Sequence, residues 1–460
     1  MHTEEKKVNV VILAAGAGKR MHSMLPKVLH EIAGRSLLQH VVDRGRSLMP
    51  DKICIVIGHG AAQVKHSMLA EDVNWILQDQ QLGTGHALLQ ALPQLDANGV
   101  TLVLYGDVPL ISQGTLQKLM TVSAGKYCSL LTAVFDNPFG YGRIIRDFET
   151  GEVAAIVEQK DATVDQQKIC EINTGIMMIP NVRLHSWLPE ISNNNSQREY
   201  YLTDIIALAV RDGVEVKTIQ ADNYWEVLGV NSKTQLAKLE RIYQENYSRE
   251  LMEKGVRLMD PERIDVRGDL NCGSDVSIDI NCIFEGTVTL GNSVQIGAHC
   301  VLRNVRVASG VIIQPFCMIE DAEIEEACKI GPYARIRPGT KLASQVHIGN
   351  FVEVKNSQIG PYSKANHLSY IGDSTIGQHV NIGAGTITCN YDGVNKYRTV
   401  IEDDVFIGSD TQLIAPVKIA RGSTIGAGST ITKETPENQL TLSRSKQVSI
   451  ANWRRPEKKK

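Results

Sequence analysis

Small and basic residues cluster near the N-terminus of the sequence, directly after an apolar run. Residues 13–21 read Leu-Ala-Ala-Gly-Ala-Gly-Lys-Arg-Met, and Pro26-Lys27 follows shortly afterwards. Small residues let backbone N–H groups approach phosphate oxygens, and Arg20 and Lys27 can neutralise the remaining charge. The loop therefore predicts a phosphate site. A dinucleotide-binding dehydrogenase would need a third glycine and an acid near the end of the second strand, and neither is evident.

An aspartate and a glutamine extend this first group of residues. Asp107 follows a strongly apolar segment, and a carboxylate that faces a phosphate loop is a natural ligand for Mg²⁺. The alternative role of Asp107 is to cap the next segment. Gln78 precedes Gly83-Thr84, and its amide offers one donor and one acceptor to the edge of a uracil ring. Together these residues predict a site for a nucleotide and its phosphates.

A second group of polar residues, which core packing does not require, lies in the last third of the chain. Arg337 and Lys355 follow aliphatic residues and are 18 positions apart. Two stacked cations without nearby acids repel, so we expect an anion such as a substrate phosphate between them. For Lys355 alone, a solvated exterior is the alternative. A histidine with a pKa of about 6.5 suits proton removal from an attacking amine, so His367 is the candidate general base.

The elements that must position the first group alternate between strands and helices. Short Val/Ile/Leu runs at 8–13, 52–58 and 100–107 predict strands, and segments such as 39–49 and 85–95 separate them. This alternation predicts a mostly parallel sheet with helices on both faces, where ligands bind beyond the carboxyl ends of the strands. A capping-box pattern at Ser232 and Gln235 then predicts a helix over 232–254, which Gly255 ends.

The elements that position the second group follow a six-residue period. The apolar residues that hold this period, all aliphatic except Phe284, are Ile278, Phe284, Leu290, Ile296, Leu302, then Ile324, Ile330, Ile336, Leu342, Ile348, Val354, and later Ile401, Ile407, Leu413, Ile419, Ile425 and Ile431. Such a period predicts a parallel β-helix with three sides and 18 residues per coil. The period breaks between Thr388 and Ile401, which predicts a functional loop outside the stack.

The two halves together resemble a known family. The loop motifs resemble sugar-nucleotide pyrophosphorylases, and the whole chain resembles the bacterial bifunctional N-acetylglucosamine-1-phosphate uridyltransferase/glucosamine-1-phosphate acetyltransferases. This resemblance implies an α/β Rossmann-like nucleotidyltransferase domain over 1–233, a helical linker over 234–254 and a left-handed parallel β-helix acetyltransferase domain over 255–460. It also implies Mg²⁺, homotrimers and two reactions of UDP-N-acetylglucosamine synthesis, for peptidoglycan and lipopolysaccharide. Acetyl-CoA would acetylate glucosamine 1-phosphate, and UTP would then transfer its uridylyl group to N-acetylglucosamine 1-phosphate and release pyrophosphate.

The resemblance also assigns site residues by position. The UTP and UDP-sugar contacts fall on Leu13, Ala14, Ala15, Gly16, Lys27, Gln78, Gly83, Thr84, Tyr105, Gly106, Asp107, Gly142, Glu158, Asn173 and Asn231. Of these, Asp107 and Asn231 would hold the metal. The amino-sugar phosphate contacts fall on Arg337, Lys355, Tyr370 and Asn381, with His367 as base. The acetyl-CoA contacts fall on Ala384, Asn390, Tyr391, Ser409, Ala427 and Arg444. Lys19 departs from the family, whose loop usually has a hydroxyl residue there.

Three other functions compete with this interpretation. A single-activity pyrophosphorylase with a structural or regulatory β-helix would not need His367, Asn381 or the loop at 389–400. A trimerising scaffold would lack the loop glycines or the metal ligands, which are present. A zinc-dependent hydratase would need a His-x4-His pair, whereas His347, His367 and His379 are 20 and 12 positions apart.

Composition restricts the class of protein and its compartment. A chain of 460 residues with a net charge of -3 predicts two or three globular domains and argues against a nucleic-acid binder. Nine scattered cysteines without a CxxC pair predict reduced thiols in the cytoplasm. The acidic N-terminus predicts no signal peptide, and no run is long enough to cross a membrane. The lysines at 458–460 predict a solvated tail.

Overall fold

A computed structural model describes residues 6–68, 71–456 and 458 of the chain. Lys459 and Lys460 of the predicted solvated tail, and the N-terminal acids Glu4 and Glu5, lie outside the described residues. The chain divides into two compact units, Met1–Tyr243 and Gln244–Lys460. None of the helices that the structure describes combines the length and the hydropathy that a bilayer crossing requires.

The first unit alternates strands with helices. Its strands are β1 (Val8–Ala14), β2 (Glu31–Ile32), β3 (Arg35–Ser36), β4 (Lys52–Ile57), β5 (Asn74–Leu77), β6 (Val100–Tyr105), β7 (Cys128–Val134), β8 (Gly142–Arg146), β9 (Val153–Val157), β10 (Glu171–Pro180) and β11 (Val216–Gln220). Its helices are α1 (Leu37–Arg46), α2 (Ala61–Met68), α3 (Thr84–Ala91), α4 (Gln113–Ser123), α5 (Asn181–Trp187) and α6 (Asp204–Arg211), followed by α7 (Lys233–Glu253).

The main sheet of this unit is mostly parallel. Its strands lie in the order β11-β7-β10-β6-β1-β4-β5, and β10 pairs antiparallel with both of its neighbours. Val10 and Ile12 pack with α1 on one face, whereas Val11 and Leu13 pack with α3 on the other. Alternate side chains of a strand point to opposite faces, so the apolar run of β1 serves both helix layers. The predicted α/β fold is confirmed.

The helix ends differ slightly from the prediction. The helix predicted over 39–49 begins earlier, because the Ser36 hydroxyl accepts a hydrogen bond from the Gln39 N–H and caps it. At α7, Ser232 caps Gln235 as predicted, but the Gln235 side chain accepts from the Asn231 N–H rather than from Ser232. Since the division into units falls within α7, the domain limits at 233 and 255 stay a prediction.

The second unit is a stack of short parallel strands in two sheets. The larger sheet has 15 strands and the smaller has 11. The smaller sheet contains Arg257–Leu258, Ser277–Ile278, Gln295–Ile296, Ile312–Ile313, Lys329–Ile330, His347–Asn350, Lys364–His367, Asn381–Ile382, Phe406–Ile407, Thr424–Ile425 and Leu440–Thr441.

The larger sheet forms the other two sides of the coil. Its first four strands are long and continue from one side to the next: Ile264–Cys272, Cys282–Leu290, Val301–Val307 and Met318–Ile324. One branch then continues through Arg335–Ile336, Glu353–Lys355, Tyr370–Gly372, Ile387–Cys389, Gln412–Ile414 and Thr430–Ile431. The other branch continues through Thr340–Leu342, Gln358–Ile359, Ser374–Ile376, Thr399–Ile401 and Val417–Ile419. The predicted three-sided parallel β-helix is confirmed.

The aliphatic residues of the six-residue period all lie in one continuous core along the stack. The prediction of 18 residues in every coil is wrong, however. Ile278 pairs with Ile296, 18 positions on, but Ile296 pairs with Ile313, 17 positions on. The shorter coils contain a side of five residues, as between Leu302 and Val307, whose side chains are both buried. The five-residue sides that follow Leu302 and Val354 shift the six-residue period by one position.

Candidate functional site

The first unit contains a cavity of about 530 Å³ at the carboxyl ends of the parallel strands β1 and β6. Ten of the predicted UTP-binding residues line it: Leu13, Ala14, Ala15, Gly16, Lys27, Gln78, Gly83, Thr84, Tyr105 and Asp107. Residues far apart in sequence meet here because these strands end at the same edge of the sheet.

The loop after β1 packs closely on Lys27 because Gly18 has no side chain. Gly18 has φ +60°, and a Cβ atom there would lie 2.6 Å from the Lys27 Cβ. Only glycine combines that backbone conformation with that contact. Lys19 and Arg20 are both exposed, and of these two residues Lys19 lines the cavity.

Lys27 joins the two predicted metal ligands. Its ammonium group donates to the Asp107 carboxylate and, at 3.2 Å, to the Asn231 side-chain oxygen. The Lys27 and Asp107 side chains are only 13% and 18% exposed. The Val230 N–H also donates to the Asp107 carbonyl, which holds the segment of Asn231 against Asp107. Asp107 is not a helix cap, because α4 is capped by Ser112.

This oxygen pair fits a hard divalent cation. A carboxylate and an amide oxygen already converge on a positive charge, the Lys27 ammonium. Mg²⁺ is usually held by one or two such ligands together with substrate phosphates. Within the described ranges of the chain, no group of three or more His, Cys, Asp or Glu side chains could hold a metal.

Gln78 is a buried amide whose orientation is set by two neighbours. Its NH₂ group donates to the Gly83 carbonyl at 3.1 Å and to the His86 Nδ1 at 2.9 Å. Because the nitrogen is used in this way, the amide oxygen is the atom that can accept from a ligand. His86, which sequence reasoning missed, therefore orients a predicted base-recognition residue.

Gly142, Glu158 and Asn173 form a separate group beside Tyr105. Gly142 pairs with Asn173 in the sheet, and a Cβ on Gly142 would lie 3.3 Å from a Glu158 oxygen. Thr203 donates to Glu158 at 3.2 Å. Burial, with the nearby Asp204 and Asp161 charges, raises the pKa of the Glu158 carboxyl. Burial also raises the pKa of Tyr105, and the charges of Glu158 and Asp107 add to the effect.

Arg143 is a buried guanidinium, 2% exposed, that sequence reasoning also missed. It donates to the Tyr141 carbonyl, to the Gln159 side chain at 2.7 Å and to the Gln167 carbonyl at 3.3 Å. Gln159 also accepts from the Gly140 N–H at 3.1 Å. Arg143 thus ties three chain segments together around Gly142 and Glu158. Its adjacency to Gly142 in the sequence was the available signal.

The second unit contains a groove of about 520 Å³ on its 11-stranded side. Its lining includes five predicted acetyl-transfer residues: His367, Asn381, Ala384, Ser409 and Ala427. His367 is exposed, and its Nδ1 lies 2.8 Å from the Asn350 side-chain oxygen. Since that oxygen only accepts, Nδ1 carries the proton and Nε2 keeps its lone pair. Asn350, one coil before His367, was not predicted from sequence.

Arg337, Lys355 and Tyr370 lie on the adjacent side of the coil. Ile336 pairs with Val354, so Arg337 lies beside Lys355 as predicted. The premise that these cations lack a nearby acid is wrong, because Arg337 donates to Glu353 at 2.7 Å. Glu353 lies two positions before Lys355, and alternate residues of a strand share a face, so the sequence already contained this signal. The predicted repulsion between Arg337 and Lys355 is therefore partly offset.

The loop that interrupts the period is a hairpin at one corner of the coil. Tyr391 and Lys396 pair antiparallel across it, and Tyr391 is exposed. Asn390 is buried and donates to the carboxylate of Asp373. Neither Asn390 nor Tyr391 is among the residues that line the groove. Arg444 donates to the Ala427 carbonyl at 3.0 Å, next to the groove.

Family models and curated relatives match this chain over most of its length. A MobA-like NTP transferase domain model matches residues 10–258, a GMPPB C-terminal domain model matches 266–370, and a bacterial transferase hexapeptide model (six repeats) matches 398–433. The chain is 62% identical to the bifunctional protein GlmU of Nitrosospira multiformis, with 98% of each chain covered. It is 60% identical to that of Nitrosomonas eutropha, with 99% of each covered. A UDP-glucose pyrophosphorylase complexed with UDP-glucose matches with 15% identity and a TM-score of 0.44, over 52% of this chain and 99% of that one.

Proposed function

Because the chain belongs to the family of bifunctional GlmU proteins, we propose that it acetylates glucosamine 1-phosphate with acetyl-CoA and then transfers a uridylyl group from UTP to the product. The observation that carries this proposal is that one chain holds two separate groups of residues suited to the two reactions. One is the Lys27–Asp107–Asn231 group at the sheet edge. The other is the His367–Asn350 pair in the groove of the β-helix.

Uridylyl transfer requires positioning and charge neutralisation more than covalent chemistry. The phosphate of N-acetylglucosamine 1-phosphate attacks the α-phosphorus of UTP, and pyrophosphate leaves, so no general base is needed. Lys27 and Lys19 are placed to neutralise phosphate charge from the cavity wall, with Arg20 nearby in sequence. The Gln78 amide oxygen would accept from the uracil edge. Fixed charges of this kind typically lower the activation free energy of such reactions by several kcal/mol.

Asp107 and Asn231 would hold Mg²⁺ in this reaction. When bound, Mg²⁺ supplies Lewis-acid stabilisation of phosphate charge. Gly142, Glu158 and Asn173 would bind the sugar, since the absence of a side chain at Gly142 leaves room beside the Glu158 carboxyl. Gly106 lies between Tyr105 and Asp107 and would contribute backbone contacts.

Acetyl transfer would proceed with His367 as general base. The amine nitrogen attacks the thioester carbonyl carbon, its proton passes to Nε2 of His367, and the carbon–sulfur bond breaks to release coenzyme A thiolate. The hydrogen bond from Nδ1 to Asn350 fixes the ring in the tautomer that this step needs. Arg337 and Lys355 would bind the sugar phosphate, with Tyr370 and Asn381 on the sugar. Acetyl-CoA would contact Ala384, Asn390, Tyr391, Ser409, Ala427 and Arg444.

We also propose that the protein is a homotrimer in the cytoplasm. Phe316, Tyr333 and Phe351 are about half exposed and stack along one corner of the β-helix, with ring centroids 4.9 and 5.3 Å apart. An exposed apolar ridge of this kind favours self-association. All nine cysteines are free thiols, which suits a reducing compartment. Residues 1–233 would carry uridylyl transfer and 255–460 acetyl transfer, with 234–254 as the linker.

Product analysis with each co-substrate withheld in turn tests the function. The complete mixture of acetyl-CoA, glucosamine 1-phosphate and UTP should give UDP-N-acetylglucosamine. Without UTP, it should stop at N-acetylglucosamine 1-phosphate, and without acetyl-CoA no acetylated product should form. A protein that uses supplied N-acetylglucosamine 1-phosphate but never acetylates the amine would instead be a single-activity pyrophosphorylase.

A further inference from the structure

The hairpin at 390–398 replaces a corner of the β-helix, and one buried carboxylate lies directly beside both of its ends. The chain leaves the stack after Ile387–Cys389 and returns at Thr399–Ile401. One coil earlier, the same corner is turned by Asp373 alone, between the strands Tyr370–Gly372 and Ser374–Ile376. Asp373 has φ +47° and is 7% exposed.

Asp373 contacts both ends of the hairpin. One oxygen of its carboxylate accepts from the Asn390 amide, at the start of the hairpin. Its backbone carbonyl accepts from the Thr399 N–H at 3.2 Å, at the end of the hairpin. The other carboxylate oxygen accepts from the Asn356 amide at 2.5 Å, in the coil before. The carboxylate is therefore held between two amide groups and connects three successive coils.

Asp373 also lies beside the proposed phosphate-binding residues. Its N–H donates to the Lys355 carbonyl at 3.0 Å. A Cβ on Gly372 would lie 2.5 Å from the Tyr370 hydroxyl and 2.8 Å from the Asn390 amide nitrogen. Lys355, Tyr370 and Asn390 thus converge on the turn that Asp373 forms. Burial alone would raise the pKa of Asp373, but the two amide hydrogen bonds and the charges of Lys355 and Lys396 lower it overall.

We propose that Asp373 is a positioning residue for acetyl transfer, which fixes the base of the hairpin through Asn390 and Thr399 and so sets the acetyl-CoA contacts beside the amino-sugar phosphate site. The inference rests on the proposed acetyltransferase function. It assigns a role to a residue that touches neither substrate. A carboxylate suits this position because each of its oxygens accepts from an amide, whereas an asparagine would turn its own NH₂ group towards one of the two donors.

The chain offers a matched control three coils earlier at the same corner. Asp321 also has a positive φ, of +43°, and accepts from one amide, that of Asn304, at 3.1 Å. Unlike Asp373 it is exposed, and no hairpin leaves the stack beside it. Asp321→Asn therefore repeats the same substitution at an equivalent turn without a hairpin to position.

Steady-state kinetics of the full-length enzyme test the proposal. Asp373→Asn should raise the KM for acetyl-CoA about tenfold, the loss expected for a hydrogen bond to a charged group. The rate of uridylyl transfer by the same variant should stay within about twofold of the parental rate. The rates of both reactions should also stay within about twofold in Asp321→Asn. The proposal is overturned if Asp373→Asn leaves the KM for acetyl-CoA within about twofold, or if Asp321→Asn raises it equally.

Limited proteolysis tests the anchoring of the hairpin without any assay of activity. Lys396 and Arg398 are exposed, so trypsin cleavage after them, followed by mass spectrometry, reports opening of the hairpin. Cleavage should be faster in Asp373→Asn and return towards the parental rate in Asp373→Asn/Asn390→Asp, where donor and acceptor are exchanged. Equal cleavage rates in parent and single variant would overturn the proposal. If the parent enzyme does not transfer acetyl groups, the proposed acetyltransferase function is wrong. The cleavage rates would still show whether Asp373 anchors the hairpin.

Discussion

Removal of the Asp107 carboxylate should separate the two activities. Lys27 is 13% exposed and donates to both Asp107 and Asn231, so Asp107→Ala leaves a largely buried ammonium group with the Asn231 oxygen at 3.2 Å. Loss of a hydrogen bond to a charged group should lower the free energy of unfolding of the first unit by about 2 kcal/mol. Loss of one preorganised charge at a phosphoryl-transfer site should lower kcat for uridylyl transfer about 10²–10³-fold.

Acetyl transfer by Asp107→Ala should be unchanged, because Asp107 lies in the first unit and His367 in the second. Pyrophosphate release measures the first reaction, and free thiol release from acetyl-CoA measures the second. Asp222→Ala is the control, since Asp222 pairs with Lys118 at 2.6 Å on the surface of the same unit. Such an exposed pair contributes about 0–1 kcal/mol. Equal loss of both activities in a folded Asp107→Ala protein would refute the two-site assignment, as would uridylyl transfer above about a tenth of the parental rate.

Three further substitutions test other parts of the two sites. His367→Gln should lower acetyl transfer about 10²–10⁴-fold and leave pyrophosphate release unchanged; similar loss of both would contradict its role as base. Arg143→Lys keeps the positive charge but loses the planar guanidinium group and its several hydrogen bonds. The KM for N-acetylglucosamine 1-phosphate should therefore rise about tenfold. An equal rise in the KM for UTP would argue against a role of Arg143 at the sugar end of the site. Because burial raises the pKa of Glu158, the folded chain holds that proton more tightly than the unfolded chain, and stability should fall as the pH rises above about 4.3. Glu158→Gln should weaken this fall in urea titrations at several pH values, and an unchanged pH dependence would show that Glu158 is not its source.

The fold could be predicted from sequence because each unit has a strong periodic signal. Strand β1 is apolar apart from Asn9 because helices cover both of its faces, and the six-residue period directly reports side chains inside the β-helix. The number of residues per coil could not be predicted reliably. A side of five residues, as between Val354 and Ile359, keeps the next aliphatic residue inside but shifts the period by one.

The candidate site was predictable where a residue lies in a recognisable motif and much less so where it supports a neighbour. Lys27, Asp107 and Gln78 follow strands or glycine loops, so their positions carry a sequence signal. His86 and Asn350 orient other side chains through single hydrogen bonds of 2.9 and 2.8 Å. Asn350 contacts His367 because this coil has 17 residues, which places the two residues opposite each other. A uniform coil of 18 residues would have placed residue 349, not Asn350, opposite His367.

The β-helix separates the residues that stabilise the coil from those that we propose for acetyl transfer. In each repeat the aliphatic side chain points inwards and its neighbours point outwards, so Ile336 and Val354 are buried while Arg337 and Lys355 face the exterior side. The hairpin at 390–398 leaves at a corner, and the core continues without interruption from Ile382 to Ile401 and Ile407. Since each coil packs mainly on its neighbours, changes in the outward residues should alter substrate contacts with little effect on the stack. The same reasoning identifies Asp373 as an exception, because its carboxylate is buried and joins three coils at the point where the hairpin at 390–398 begins.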